Sequence, residues 1–360
     1  MSESRKSIWI LSDLFDAHTR VITKALESTN IKFDLVDSSK FPAKDHLEHR
    51  IDSENQTARF CVDAEYLSDL DCSLVWIRRP KASKSHISLH PEDREFALLE
   101  SDAAIRGVLY SMEFRGVKFI NPLVGRTLAQ SKALQLELAQ SSGLRIPNTL
   151  FSNNTKAIRD FAAKQRWGCV YKQVAPTMFP ANAETPRHCL TTAITLSDLL
   201  DDATIRSTPG CYQALVPKAF DVRALYLDGE LLCAGMRSRN FVPFEADFRR
   251  HGSETLDVWP ICPPKQVIDR CKALALKLGV IFGSLDFVVD DNDDWYFLEI
   301  NEAGQFLFVE YLNPDIMAPR RLVWNPTVRI AGRSRALWAC GQAAFEPVHM
   351  STGRSWRVMS

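Results

Sequence analysis

Glu299 and Asn301 lie two residues apart in an apolar, aromatic-rich run, WYFLEIN, at residues 295–301. On a β-strand, side chains two residues apart point to the same face, so this carboxylate and this carboxamide would face one point. Upstream, Asp286 lies in a second apolar run, GSLDFVV. A hairpin of the two runs would bring Asp286 beside the pair. Three oxygen donors of this kind are typical of Mg²⁺, which is commonly shared with substrate phosphates.

This segment has two alternative interpretations, of which one stays open and the other is excluded. The runs could form an ordinary edge strand whose polar residues are solvated. The acidic stretch 290–294 between them also resembles a calcium loop, but an EF-hand needs Gly at its sixth position and Glu at its twelfth. Counted from Asp290, those positions hold Trp295 and Asn301. The stretch is therefore predicted to be a hairpin turn.

Two lysines and a short strand could supply the rest of a nucleotide site. Lys132 lies in a predicted helix, and Lys172 lies on the predicted strand CVYKQV. Lysines neutralise phosphates, and metal ions bridge phosphate oxygens. An interdomain hinge at residues 212–217 would contact adenine through Gln213, Ala214, Leu215 and Val216. Together with the three oxygen donors, these parts predict a site for ATP and Mg²⁺.

The elements that must position these residues follow an α/β pattern. A strand–helix–strand unit, further strands at CVDAEYL and LVWIRRP, a helix at 91–115 and a strand at GVKFINP predict an N-terminal α/β domain with a mostly parallel sheet over residues 1–125. It lacks a GxGxxG after its first strand, which argues against a dinucleotide site. Beyond it, the patterns predict a helix at Thr127–Ser142, a helix near 197–202, a helix at 264–278, and hairpins over 221–239 and 283–300.

Composition narrows the class of protein. Lys and Arg together number 44, as do Asp and Glu, so no bulk charge indicates nucleic acid or a membrane surface. No apolar run approaches the ~18 residues that span a bilayer. Nine cysteines, none in a CxxC, fit reduced thiols in a cytoplasmic protein. The tail 326–360 holds five Arg against one Glu.

The sequence resembles the ATP-grasp carboxylate–amine ligases over about residues 5–317. The residues that carry this resemblance are Lys132, Lys172, the hinge and the Asp286…Glu299-x-Asn301 set. More narrowly, it resembles the graspetide, or microviridin-type, macrocyclases of ribosomal peptides. That narrower likeness rests on VWIRRP (75–80), SKALQLELAQSSGLRIPNTL (131–150), VPKAFDVRA (216–224) and EINEAGQFLFVE (299–310).

The resemblance implies an ATP-grasp fold with four regions. These are an N-terminal pre-ATP-grasp domain (1–125), a central lid domain (126–211), a C-terminal catalytic domain (212–325) and a basic tail (326–360). It also implies ATP and two Mg²⁺ ions as cofactors. The implied partner is a ribosomal precursor peptide with a leader and an acidic core, modified by a homodimeric enzyme.

The implied reaction needs no enzyme nucleophile. ATP phosphorylates an acidic side chain of the peptide, and a Ser/Thr hydroxyl or Lys amine then closes an ester or amide ring. Arg suits the carboxylate and acyl phosphate because its planar fork makes bidentate contacts. Arg223, Arg237 and Arg249 are the predicted catalytic arginines, and Asp221, on the same strand face as Arg223, is assigned to ATP. Arg223 and Arg237 are expected to bring their heads together over one carboxylate.

Two segments depart from the family pattern, and a third matches it without an assigned role. Residues 173–187, where a glycine-rich loop usually covers the phosphates, hold no Gly and three Pro. Ala214 stands where the hinge usually has Glu, so adenine recognition would fall more on the backbone of Ala214 and Val216. Arg78 and Arg79 match a family motif, and a salt bridge to the acid-rich helix after Pro91 is their simplest interpretation.

Two other functions remain open at this level. An ATP-grasp ligase that joins small molecules or adds amino acids to a peptide would share everything except the Gln305–Glu310 ending and the Asp-x-Arg pair. A nucleotide-dependent peptide-binding module without catalysis would have no need of Asp286, Glu299 and Asn301 together.

Overall fold

The structure is a computed structural model, and it describes residues 6–63, 65–80, 89–175, 191–199, 201–239 and 256–316. Arg249, most of the 173–187 segment and the tail 326–360 lie outside these residues. The chain divides into two compact units, with the boundary between Gly125 and Arg126. In the described part of the chain, no helix has the length and apolar character needed to cross a membrane. The seven cysteines described are free thiols.

The first unit is built on a parallel sheet, as the sequence predicts. Its elements are β1 (Ser7–Ser12), α1 (Ala17–Ser28), β2 (Phe33–Val36), β3 (His46–Ile51), β4 (Gln56–Val62), β5 (Glu65–Ser68), β6 (Cys72–Arg79), α2 (Pro91–Phe114), β7 (Lys118–Ile120) and α3 (Leu123–Leu128). The strands β2, β1, β6 and β7 pair in that order, all in parallel. Trp9, Val75 and Met112 lie in its hydrophobic core.

Two details of this unit correct the sequence analysis. CVDAEYL does not form one strand, because the chain turns at Asp63, whose φ of 49° is one that Asp tolerates, and β3, β4 and β5 form a separate antiparallel sheet. Arg78 is fully buried, with its Nε 3.5 Å from Oδ1 of Asp16 at the start of α1. The expected salt bridge of Arg78 to the helix after Pro91 is therefore wrong.

The second unit contains two antiparallel sheets. Its elements are α4 (Lys132–Ser141), β8 (Thr149–Ser152), α5 (Thr155–Lys164), β9 (Cys169–Lys172), β10 (Thr192–Ile194), α6 (Asp202–Ser207), β11 (Gly210–Ala214), β12 (Phe220–Leu227), β13 (Glu230–Ser238), β14 (Leu256–Ile261), α7 (Lys265–Leu278), β15 (Phe282–Val289), β16 (Trp295–Asn301) and α8 (Leu307–Leu312). The strand orders are β10-β9-β11-β8 and β14-β13-β12-β15-β16. The further division of residues 126–325 into two domains stays a prediction.

Local capping explains where two predicted helices differ. The helix expected at Thr127–Ser142 begins at Lys132, because the Ser131 hydroxyl accepts a hydrogen bond from the Leu134 N–H and so caps α4. In the same way Asp201 caps α6 through the Ala203 N–H, so this helix starts after the position expected near 197. The strand β14 and the helix α8 were not predicted.

The five-stranded sheet has two chemically different faces. We call the face that packs against α4 and α7 the helix face; its core includes Val222, Ala224, Leu285, Phe287 and Ile300. We call the opposite face the site face, because strand alternation places Asp221, Arg223, Ser284 and Asp286 on it. The sequence alternation in β12 and β15 therefore separates a core surface from a polar surface.

Candidate ATP and metal site

The three predicted metal-binding residues lie together on the site face. Asp286 pairs directly with Glu299, and Ser284 pairs with Asn301. Side chains paired in this way stand about 5 Å apart, so the two carboxylates can reach one cation. A β-bulge beside them, with Leu298 as the extra residue, keeps Glu299 on the site face while Ile300 stays buried in the helix face.

This donor set fits Mg²⁺. It offers two carboxylates and one amide, and Mg²⁺ is typically held by one or two carboxylates plus substrate phosphates and water. The Asn301 Oδ1 also accepts a hydrogen bond of 3.1 Å from the Ala303 N–H, which leaves its second lone pair for another partner. Asn301 is the third donor of this set. A group of three or more His, Cys, Asp and Glu side chains that could hold a metal does not occur within the described ranges.

Lys132 reaches Glu299, one of the predicted metal-binding residues, from the first turn of α4. Its Nζ lies 2.8 Å from Oε2 of Glu299. One turn further on, the buried Gln135 bonds both backbone groups of Ile300: its Nε2 donates to the carbonyl and its Oε1 accepts from the N–H, each at 2.9 Å. Because β16 is an edge strand, Gln135 takes the place of a missing neighbour and fixes α4 beside Glu299.

Replacing Gln135 by Met should destabilise this junction. The variant keeps the apolar volume but leaves the Ile300 N–H and carbonyl unpaired, which costs on the order of 2–4 kcal/mol for two buried groups. Equilibrium unfolding in urea measures this loss. Gln140→Met, at an exposed position of the same helix, is the control and should change stability by less than about 0.5 kcal/mol. Equal stability of the two variants would contradict the assigned role of Gln135.

Lys172 joins the same charge cluster from the smaller sheet. Its Nζ lies 2.8 Å from Oε1 of the buried Gln213, whose Nε2 in turn donates to Thr149 Oγ1 at 2.9 Å. Burial lowers the pKa of Lys172; among the nearby charges Glu299 raises it and Lys132 lowers it again. The two lysines and the predicted metal residues are thus close enough to influence one another electrostatically.

The hinge backbone is partly occupied. The Ala214 N–H donates to the Asn148 carbonyl at 2.8 Å, and the Leu215 N–H donates to the Gly168 carbonyl at 3.0 Å. β11 ends at Ala214 instead of continuing to residue 217. Of the predicted adenine contacts through hinge N–H groups, Val216 is therefore the best placed.

Asp221 has a buried partner that the sequence analysis missed. The Lys218 Nζ lies 2.9 and 2.7 Å from the two carboxylate oxygens of Asp221. The side chains are only 4% and 12% exposed. The Lys-x-x-Asp spacing in VPKAFD was the available signal, because both residues lie just where the hinge leads into β12. The assignment of Asp221 to ATP stays a prediction.

Arg223 lies beside the predicted metal-binding carboxylates. The hairpin expected over 221–239 turns at Asp228-Gly229 and pairs Tyr226 with Leu231 and Arg223 with Ala234. On its other side Arg223 pairs with Asp286, and its Nη1 lies 3.0 Å from Oδ1 of that residue. The guanidinium also lies 5.5 Å from the centre of the Phe308 ring, within cation–π range. Its Nε is buried and has no hydrogen-bond partner among the described residues.

Arg223 and Arg237 do not converge. Since Arg223 pairs with Ala234, the site face of β13 continues through Met236, and Arg237 points to the other face. Arg237 is exposed, whereas Arg223 is 13% exposed. The expectation that both heads meet over one carboxylate is therefore wrong, because three residues of separation reverse the direction of a strand side chain.

Residues 10–124 match the family model of the MvdD pre-ATP grasp domain. No curated protein matches the sequence.

Solved structures extend the likeness to most of the chain. The macrocyclase MdnC of Microcystis aeruginosa MRC, bound with precursor peptide MdnA, has a TM-score of 0.75 at 24% identity over 86% of this chain and 95% of that one. A RiPP-associated ATP-grasp ligase of Chryseobacterium gregarium, in complex with ADP and a leader and core peptide, has a TM-score of 0.76 at 21% identity over 86% and 92%. PsnB, with a phosphomimetic precursor variant, Mg and ADP, has a TM-score of 0.67 at 19% identity over 87% and 97%.

The fold is therefore that of the ATP-grasp ligases. The N-terminal unit carries a pre-ATP-grasp domain of the MvdD type. The resemblance to the graspetide macrocyclases, inferred from the sequence motifs, is confirmed at the level of the fold.

Proposed function

We propose that this protein is an ADP-forming ligase that closes ester or amide rings between side chains of a ribosomal precursor peptide. The observation that carries this proposal is the convergence of Asp286, Glu299, Arg223 and Lys132 on one sheet face, with Lys172 beside them. A carboxylate pair for metal, lysines for phosphates and an arginine for a substrate carboxyl are the groups that acyl-phosphate chemistry requires.

Each residue has a defined part in this scheme. Asp286, Glu299 and Asn301 would hold two Mg²⁺ ions together with ATP, and these ions supply positive charge to the phosphate oxygens. Lys132 and Lys172 bind phosphates, and the hinge around Val216 binds adenine. Arg223 orients the acidic side chain of the peptide. Precursor peptide, ADP and Mg are bound in the related structures, which supports the same ligands here.

Replacing Lys132 or Lys172 by Ala should weaken nucleotide binding. Each change removes a charge-assisted contact worth about 1.5–3 kcal/mol, so the Kd for ADP and ATP should rise roughly tenfold to a hundredfold. Calorimetric titration measures the change. Lys156→Ala, which removes an exposed lysine paired with Asp160 on α5, is the control. An unchanged Kd in the first two variants would mean that neither lysine binds the nucleotide.

The function itself is tested by co-expression. The enzyme is expressed together with the peptide that a short neighbouring open reading frame would encode. This peptide should have a repeated Thr/Ser…Asp/Glu core. Ring closure should appear as loss of one water per ring by mass spectrometry, with one ADP released per ring. A product that gains the mass of added amino acids would instead indicate a peptide-extending ligase. A peptide of unchanged mass and no peptide-dependent ADP release would contradict the proposal.

We further propose that the enzyme acts as a homodimer. Light scattering of the purified protein tests this, since a single species of about 41 kDa would contradict it.

A further inference from the structure

A small cavity lies between the site face and α8, next to Arg223. Its volume is about 20 Å³, and Leu225, Leu232, Ala234 and Val309 form its apolar walls. Two charged side chains, Arg223 and Glu310, also line it, together with Phe306 and Ile316. A water needs roughly 10–15 Å³ of such space, so the cavity fits the tip of one small side chain and excludes a ring.

Glu310 is not explained by the ATP site or by packing. It lies on α8, half-buried, and no hydrogen bond or ion pair engages it among the described residues. Burial raises the pKa of its carboxyl group. A half-buried carboxylate in mostly apolar surroundings, with no hydrogen bond or ion pair to hold its charge, is well suited to accept a proton.

The contacts of Arg223 show where the Glu310 carboxylate lies relative to the predicted metal-binding residues. The guanidinium contacts Asp286 of the metal set on one side and the Phe308 ring of α8 on the other. α8 itself packs on the site face through Val309, which lies in one hydrophobic cluster with Ala234 and Met236. The cavity is therefore adjacent to the place where Arg223 would hold the activated carboxyl group.

We propose that this cavity receives the hydroxyl of an acceptor Ser or Thr side chain, and that Glu310 removes its proton during ring closure. The inference rests on the proposed ligase function and deepens it. A hydroxyl fits better than a Lys ammonium, because it is neutral and enters the mostly apolar cavity without losing a solvated charge. The product is then an ester.

The step balances in atoms and charge. The acceptor oxygen forms a bond to the acyl carbon, and the bond from that carbon to the phosphate oxygen breaks. The bonding electron pair leaves with the phosphate. The proton of the hydroxyl passes to the Glu310 carboxylate, which returns it to solvent after the ester is released.

The test uses the full-length enzyme and the peptide encoded beside its gene. For Glu310→Gln, ring closure should fall at least a hundredfold, the scale of general-base catalysis. Peptide-dependent ADP release should fall far less, and hydroxylamine should trap the acyl phosphate as a hydroxamate. Glu310→Asp should recover part of the ring closure. Ring closure within threefold of the wild type in Glu310→Gln would overturn the role of Glu310.

Two further variants separate this role from a structural one. Ala234→Val adds methyl groups to the cavity wall and should block ring closure while hydroxamate formation continues. Tyr311→Phe, at an 81% exposed position of the same helix, should behave as the wild type. If both Ala234→Val and Tyr311→Phe close rings normally, the cavity does not receive the acceptor.

The acceptor class is tested with a second peptide in which Lys replaces each core Ser and Thr. We expect ring closure to fall at least tenfold; equal closure of the Lys peptide would overturn the preference for a hydroxyl. Failure of the proposed function is distinct, because the wild-type enzyme would then give neither rings nor peptide-dependent ADP with either peptide.

Discussion

Replacing Glu299 by Gln should abolish ATP turnover while the protein stays folded. Glu299 pairs with Asp286 on the site face and holds the Lys132 ammonium at 2.8 Å. A neutral amide cannot offset the charge of a bound metal ion, so the phosphates would lose their positioning. The lost Lys132 contact is partly solvent-exposed and should cost less than about 1 kcal/mol of stability.

ADP release measured by a coupled assay, together with a thermal melt, checks this expectation. Glu137→Gln, at an exposed position of α4, carries the same chemical change away from the site and should keep full turnover. Normal ADP release by the Glu299 variant would remove Glu299 from the metal site.

Changing Arg223 to Lys should reduce ring closure steeply while ATP binding persists. The substitution keeps the positive charge but loses the planar fork that can bond a carboxylate and Asp286 together. Removing one preorganised donor typically costs about 3 kcal/mol of transition-state stabilisation, or roughly a hundredfold in rate. Loss of water from the peptide, followed by mass spectrometry, gives the rate.

The matched control for this substitution lies in the same hairpin. Arg239 is exposed and its Nε lies 3.0 Å from Asp257, so Arg239→Lys makes the same change in a surface ion pair. It should leave ring closure within about twofold of the wild type. Unimpaired ring closure by the Arg223 variant would reduce Arg223 to a structural partner of Asp286.

Strand alternation allowed most of the five-stranded sheet to be read from the sequence. The turn at Asp228-Gly229 fixed the register of β12 and β13, and apolar runs on both sides of Asp286 and Glu299 located β15 and β16. The three-stranded sheet of β3, β4 and β5 was not predicted, since HLEHRI has charged residues at alternate positions and little apolar pattern. A turn at Asp63 has no glycine to mark it.

The site was predictable where chemistry coincides with a local pattern. Glu299-x-Asn301 is such a case, because a strand converts a spacing of two into a shared face. Arg237 was expected to face Arg223. It lies three residues beyond Ala234, the partner of Arg223, and an odd number of residues along a strand turns the side chain to the other face. Gln135 could not be found at all, since its partner Ile300 is 165 residues away and uses only backbone groups.

The hydrogen bonds between Gln135 and Ile300 determine which lysine of the proposed nucleotide site is held on the large sheet. Through it, and through the core that Leu136 and Ala139 share with α7, Lys132 is attached to the large sheet. Lys172 belongs to the small sheet of the second unit, which is formed by β10, β9, β11 and β8. This sheet has a separate core around Ile158 and Tyr212. Any rotation of the small sheet would change the spacing of the two ammonium groups and leave the Lys132–Glu299 distance unchanged. Under the proposed function, the phosphate contact of Lys132 would therefore be fixed in place, whereas that of Lys172 would adjust to the nucleotide.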